Sequence, residues 1–186
     1  MTAPEMYSLM QGVAGVNAFA ATCQSALETG RWMSKLWVQA RNGAGLKAGR
    51  SWINAGKPFI PILSPEWNGK EIVHRISKFR AYATPEEFVA DYAGKIRELY
   101  PVCVASADNF WGYFAGLYRG RWGAWATDPG YFDKLAEMAV RLAPELLGKG
   151  WRGRIYLAFE LAEQRDTLTP EQGKTILKLM KKVNEE

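Results

Sequence analysis

The amino-acid sequence predicts an α+β domain that is mainly helical, with a small β-lobe set against the helices and a cleft between the two. Three observations predict it. From Val13 to Glu28 apolar residues recur at three- and four-residue steps, the period of a helix with a wide buried stripe. Residues 30–70 then turn to glycine, proline, asparagine and aromatics with little helical period, and IPILSPEWNGKEIVHRISKF sets an Asn-Gly pair between two apolar runs, as a hairpin does. Capped helical segments return after residue 83 and continue to the end of the chain.

Taken in order, the first helix carries Val16, Phe19, Ala20, Cys23 and Leu27 on its stripe, and Gly30 is its stop. Thr84 before Pro85-Glu86-Glu87 is an N-cap with proline at the first helical position, opening TPEEFVADYAGKIRELY. A further helix is predicted over 104–118. Another follows in DPGYFDKLAEMAVRLAPELL, with Asp128 as its cap. The tail, 151–186, gives two helical segments divided by RDTLTPEQ, the last starting at Thr169-Pro-Glu-Gln. No repeat or low-complexity linker interrupts the chain, so the expected division is 1–147 plus a helical extension, 148–186, packed on the same domain.

A chain of 186 residues with 48% hydrophobic and 23% charged residues suits one domain with a sizeable core. Eight tryptophans are many, and their broad apolar faces serve cores and sugar-binding clefts alike. The net charge of +5 steers the protein toward polyanions: nucleic acid, anionic lipid or an acidic cell wall. Cys23 and Cys103 are expected as two buried free thiols rather than a disulfide framework. With His74 as the one histidine, no zinc site is expected. No stretch is long enough to span a membrane, and MTAPEMYSLMQGVAG has neither the basic nor the apolar region of a secretory leader. Synthesis in the cytoplasm without a cleaved leader is therefore expected.

Glu28 ends the first helix, where the negative end of the macrodipole disfavours ionisation. Apolar neighbours such as Trp32 would add desolvation, and both effects raise a carboxyl pKa, as a general acid near neutral pH requires. On position alone a solvated glutamate at a helix end is the simpler reading. Glu66, in SPEWNGK, is by itself a surface residue beside a turn. Its interest is as a partner, because glycoside hydrolysis commonly uses one carboxylic acid to protonate the leaving oxygen and a second carboxylate to activate water or stabilise positive charge.

Five segments come in one order: ALETG (26–30), NGAGLKA (42–48), EWNG (66–69), FRAYATPEEFVADY (79–92) and WATDPGYFDKL (125–135). Together they resemble the glucosaminidase domain of glycoside hydrolase family 73, from about residue 14 to 143. Relatives include the peptidoglycan-hydrolysing half of the flagellar rod-cap protein and several autolysins. The resemblance implies a lysozyme-like fold and an endo-β-N-acetylglucosaminidase that cuts peptidoglycan. Glu28 matches the catalytic acid and Glu66 the usual second carboxylate, with Trp67 in place of tyrosine beside it. Asn42, Gly45, Leu46 and Lys47 match a cleft-lining segment, in which Ala44 replaces the usual aromatic. Phe79, Arg80 and Tyr82 match a structural segment, and Thr127, Asp128 and Pro129 match Y-A-T-D-P.

The tyrosine that opens Y-A-T-D-P in most relatives is Trp125 here, which keeps an aromatic face but not the phenol. Trp125 then either stacks on sugar only, or Tyr131 or Tyr118 supplies the hydroxyl, or turnover is weak. The expected substrate contacts are Asn42, Lys47, Trp67, Trp125, Thr127, Asp128 and Tyr131, with no metal and no cofactor. YRGRWGAW (118–125) mixes arginine and aromatics as single-strand nucleic-acid binders do, but the resemblance accounts for it as cleft wall, so no nucleic-acid partner is expected. The last helix puts Ile176, Leu177, Leu179, Met180 and Val183 largely on one side; it is expected to pack on the domain with its lysines solvated, rather than dock on an anionic surface. The partner expected is the peptidoglycan glycan strand, met by a monomer in the periplasm or cell wall, as a phage or prophage endolysin or a virion-associated enzyme would do. A non-catalytic glycan-binding module, a muramidase and a lytic transglycosylase are the alternatives.

Overall fold

The computed structural model describes residues 1–67 and 70–185, the side chains of residues 64–67 and 72 excepted. Among the described residues ten helices and two strands follow one another: α1 (Ala3–Met10), α2 (Ala18–Glu28), α3 (Lys35–Ala40), α4 (Arg50–Asn54), β1 (Phe59–Trp67), β2 (Ile72–Arg80), α5 (Pro85–Leu99), α6 (Pro101–Ala105), α7 (Phe110–Gly116), α8 (Tyr131–Leu147), α9 (Trp151–Gln164) and α10 (Pro170–Glu185). The helices surround one core and the strands form a two-stranded antiparallel sheet beside it. This is the mainly helical α+β arrangement the sequence predicts.

At the centre lies α2, buried on every side from Phe19 to Ala26. Its small residues Ala20, Ala21, Cys23 and Ala26 let α1, α7 and α8 approach closely. The helix begins at Ala18 rather than at Val13. Asn17 caps it, its Oδ1 accepting from Ala20 N at 2.9 Å while Nδ2 donates to Ala107 O at 2.9 Å. A cap side chain thus overrides the apolar period that runs through residues 13–16.

The other end explains the position of Glu28. Gly30 takes φ +55°, Gly30 N donates to Leu27 O and Arg31 N to Ala26 O, the paired bonds that close a helix C-terminus on a left-handed glycine. Arg31 and Trp32 follow at φ 58° and 64°, where non-glycine residues are strained. Thr29 holds them: its Oγ1 donates to Ser25 O at 2.6 Å and accepts from Trp32 N at 2.9 Å. The acid is therefore the last residue of a helix whose end is tied down from within.

Several elements depart from expectation for identifiable reasons. α1 is read in the sequence only as the absence of a leader, yet Thr2 and Glu5 form a capping box, with Glu5 N donating to Thr2 Oγ1 at 3.3 Å and Thr2 N to Glu5 Oε2 at 2.7 Å. Met6 and Met10 are fully buried, so α1 is part of the core. The loop-rich stretch holds two short helices, α3 and α4, too brief to show a period. The helix predicted over 104–118 is two, α6 and α7, because Asn109 starts the second: Oδ1 accepts from Gly112 N and Nδ2 donates to Ala158 O. Asp128 does not cap α8, which starts at Tyr131 after Gly130. Asp128 instead organises the turn before it, Oδ1 accepting from Gly130 N at 2.9 Å and the main-chain oxygen from Tyr131 N at 3.1 Å.

Other elements follow the sequence closely. Thr84 caps α5 through Glu87 N, and Thr169 with Gln172 forms a capping box at α10. In α10, Ile176 and Met180 are buried on the core and Lys174, Lys178, Lys181 and Lys182 are exposed; Leu177, expected on the buried side, is exposed too. Both cysteines are buried free thiols. Of the tryptophans, Trp32, Trp37, Trp52 and Trp111 are in the core. No described helix is long and apolar enough to cross a membrane.

The hairpin pairs Phe59 with Arg80 at its base and Trp67 with Ile72 toward its tip. The Asn68-Gly69 turn itself lies outside the described residues. The base is anchored. Ala48 N donates to Lys78 O at 2.8 Å and Arg80 N to Leu46 O at 2.9 Å, while the Arg80 guanidinium binds Asp91 of α5 at 2.8 and 2.6 Å. Farther out, Leu63 and Ile76 are exposed. The lobe is therefore gripped at one end by α5 and by the loop that leads from α3.

Candidate active site

Glu28 is half-buried at the end of α2, and its carboxyl is held by a donor from a distant part of the chain. Tyr131, the first residue of α8, donates its hydroxyl to Glu28 Oε1 at 2.6 Å. Trp125 lies near the same carboxyl and favours its ionised form. Burial raises Glu28 above the usual carboxylate value; the Tyr131 donor and the nearby Trp125 pull the other way without cancelling it. A carboxyl so placed retains its proton to higher pH than a solvated one, and these neighbours can stabilise the anion once the proton has left.

Tyr131 was expected as a sugar contact or as a substitute phenol. It is 5 % exposed, and its hydroxyl lies on Glu28. The other candidate, Tyr118, accepts a hydrogen bond from Phe132 N at 2.7 Å and so steadies the start of α8. Trp32, expected beside the acid, turns its indole N–H to Ser25 Oγ at 3.0 Å, one turn back along α2. Trp125 is half-buried, its ring centroid 5.7 Å from that of Tyr92 and 5.3 Å from that of Tyr100.

The loop after α3 forms the wall beside the acid. A Cβ on Gly45 would lie 3.5 Å from Glu28 Oε2, so this loop faces the second carboxyl oxygen. Asn42, expected to touch sugar, is fully buried and its amide is spent on the loop. Nδ2 donates to Leu46 O at 2.8 Å and Arg80 O at 2.9 Å, and Oδ1 accepts from Ala44 N and Leu46 N. With both donors and the acceptor occupied, Asn42 builds the wall and does not present itself to a ligand.

The same loop packs so closely that a Cβ on Gly43 would fall 2.6 Å from both Phe88 Cε1 and Ser25 Oγ. Gly43→Ala should therefore destabilise the protein by about 1–3 kcal/mol, the usual cost of overpacking. Urea denaturation checks it. A loss under about 0.5 kcal/mol would mean that loop and ring part freely.

Lys47 is exposed, with its backbone bridged to Phe79. Thr127 is exposed in the loop before α8, and Asp128 beside it has its second carboxylate oxygen on Lys134. Glu66 lies late in β1, its backbone opposite Val73; the side chains of Glu66 and Trp67 lie outside the described residues. Among the described residues no His, Cys, Asp and Glu cluster is placed to hold a metal ion.

Behind the acid runs a buried polar chain that motif reading missed. Tyr92 OH donates to Gln24 Oε1 at 2.7 Å, Gln24 Nε2 donates to Tyr131 OH at 3.1 Å, and Tyr113 OH lies 3.0 Å from Tyr92 OH. The one signal for it in the sequence is Gln24, a polar residue inside the apolar run AFAATCQSALE.

Comparison with known proteins gives the family. The glucosaminidase family, described as mannosyl-glycoprotein endo-beta-N-acetylglucosaminidase, matches residues 4–143. The chain belongs to the glucosaminidase family. Membership makes it a glycoside hydrolase with a lysozyme-like fold, and the match reaches back beyond residue 14 to take in α1. The peptidoglycan hydrolase from Sphingomonas sp. A1, in a mutant form, is 27% identical with a TM-score of 0.55, covering 83% of this glucosaminidase and 94% of that chain. The glycoside hydrolase domain of Salmonella typhimurium FlgJ is 21% identical, TM-score 0.53, over 90% of this chain and 100% of that one. A Staphylococcus aureus N-acetylmuramoyl-L-alanine amidase structure aligns at 21% identity and TM-score 0.59 over 76% of the glucosaminidase, which spans only 39% of that chain. No curated protein sequence is detectably similar.

Proposed function

We propose that this glucosaminidase hydrolyses peptidoglycan, cleaving the β-1,4 bond from N-acetylglucosamine to N-acetylmuramic acid, with Glu28 as general acid and Glu66 as second carboxylate. One observation carries the reading: a carboxyl at a helix end, raised by burial and held by Tyr131 at 2.6 Å. The family and the peptidoglycan hydrolase from Sphingomonas sp. A1 support the substrate class.

In this mechanism the Glu28 proton passes to the leaving glycosidic oxygen as its bond to the anomeric carbon breaks. Tyr131 and Trp125 stabilise the carboxylate left behind. Glu66, carried on the hairpin, serves as base toward water or stabilises the positive charge that develops on the sugar. A carboxyl separation of roughly 6.5–9.5 Å in the complex would accommodate the water of an inverting reaction, and about 5–5.5 Å a retaining one. Lys47, Trp67, Trp125, Thr127 and Asp128 are the proposed glycan contacts. Two carboxylates suffice for this chemistry without a metal or organic cofactor. One chain carries both, so a monomer is competent to act at the cell wall.

The test is digestion of purified peptidoglycan by wild type and Glu28→Gln, with borohydride reduction and mass spectrometry of the soluble products. Reduced N-acetylglucosamine ends, absent with the variant, are expected. Reduced or anhydro-muramic ends would overturn the bond specificity, and binding without soluble product from wild type would identify a non-catalytic module.

A further inference from the structure

The buried chain behind Glu28 has a direction. Gln24, Tyr92 and Tyr113 are 0, 1 and 0 % exposed, so the protons between them have no access to bulk water. A phenol has one proton to give, and an amide oxygen can only accept. Tyr92 gives its proton to Gln24 Oε1, which leaves Tyr113 as the donor of the 3.0 Å bond between the two phenols. Gln24 then turns Nε2 toward Tyr131 OH, and the Tyr131 proton is free to point at Glu28 Oε1.

The opposite direction leaves a polar group stranded. With the Gln24 amide turned over, Nε2 would donate to Tyr92, Tyr92 to Tyr113, and the Tyr113 proton would have no acceptor among the described residues. Tyr131 would have to donate to Gln24 and would desert Glu28. In the arrangement observed, no described buried side-chain nitrogen or oxygen lacks a partner. Such amide orientations are decided by the whole network, and this network favours one.

We propose that Gln24, Tyr92 and Tyr113 are positioning residues that make Tyr131 a permanent donor to Glu28 Oε1, so that the catalytic proton resides on Oε2, the oxygen facing Gly45. The inference rests on Glu28 being the acid. An oxygen that already accepts a 2.6 Å bond from a phenol is a poor place for a second proton. Oε2 is the oxygen beside the Gly45 loop. Among the described residues, the titratable groups that face Glu28 are Tyr131 from α8 and Tyr92 from α5.

The experiment titrates the Glu28 carboxyl carbon by NMR in full-length protein labelled at glutamate, assigned with Glu28→Gln, and compares wild type with Tyr92→Phe. Loss of the Tyr92 donor lets the amide turn and draws the Tyr131 proton away from the anion. The Glu28 midpoint should rise by about 0.5–1 pH unit, the scale of one hydrogen bond. The alkaline limb of the kcat profile should rise with it, because the acid then keeps its proton longer. A residue that merely fills space would lower Tm or kcat and leave both midpoints where they are. Tyr113→Phe, should Tyr92→Phe not fold, is expected to give a smaller rise in the same direction. An unmoved Glu28 midpoint in the folded variant overturns the proposal. A raised midpoint alongside an active Glu28→Gln would keep the network and discard Glu28 as the acid.

Discussion

Glutamine at position 28 is expected to lower turnover of peptidoglycan by about 10²–10⁴-fold, the usual contribution of a general acid, without loss of the fold. Glutamine keeps an oxygen to accept from Tyr131 and fills the same space, so what disappears is the transferable proton. The same variant should be more stable than wild type at neutral pH. Burial raises Glu28 above its ordinary value of 4.5, so the folded state holds the proton more tightly than the unfolded one. For a carboxyl raised on folding, stability is fully present below the unfolded value and falls as pH climbs through the folded one. Wild type thus loses stability over that window and Glu28→Gln does not. Thermal unfolding of both proteins from pH 3 to 8 should show equal slopes below the window, an advantage for glutamine that widens through it, and a constant advantage above it. Undiminished product release by the variant would remove Glu28 from the mechanism, and a wild type that gains on glutamine as pH rises would contradict the burial argument.

Asp91→Ala is expected to give the largest loss of stability, on the order of 3 kcal/mol. Arg80 is 8 % exposed, and its guanidinium also lies over the Trp52 ring at 4.5 Å and gives its Nε proton to Lys47 O at 3.2 Å. Removing Asp91 strands that charge and leaves the Tyr82 hydroxyl, which donates to Asp91 at 2.6 Å, without its acceptor. The figure is set at the low end for a broken buried pair because the Asp91 side chain is 24% exposed. The consequence reaches function through geometry, because β2 ends on Arg80 and the hairpin it anchors carries Glu66. Hydrogen exchange should show the amides near the base of β1 and β2 opening at lower free energy than those of α2. Urea denaturation giving a loss below about 1 kcal/mol would mean that solvent replaces the partner.

Motif and period together picked out several residues of the candidate site, though not its wiring. ALETG identified the helix end and its carboxyl because the stop is local: Gly30 closes α2 with bonds to Ala26 and Leu27. Thr84 and Thr169 predicted their helices for the same reason, a cap being an interaction across three residues. The break at Asn109 and the late start of α2 were misread because a cap inside an apolar run competes with the period, and neighbouring contacts at Ala107 and Ala158 decided the outcome. Asn42 was misassigned for a different reason. A polar residue in a cleft-lining motif can face the ligand or its own loop, and only the positions of Leu46 and Arg80 show that it does the second.

By itself the sequence determined what is decided over a few residues: the helical majority, the hairpin, the capped starts of α5 and α10, and an acid at a helix end. Which phenol meets that acid was open between Tyr118 and Tyr131, because Tyr131 stands 103 residues away and reaches it only when α8 packs on α2. The direction of the chain through Gln24, Tyr92 and Tyr113 depends likewise on partners 21 to 107 residues apart. Local propensity cannot encode such meetings, since each hydroxyl can either donate or accept until burial removes water as its partner and the whole network must be satisfied at once.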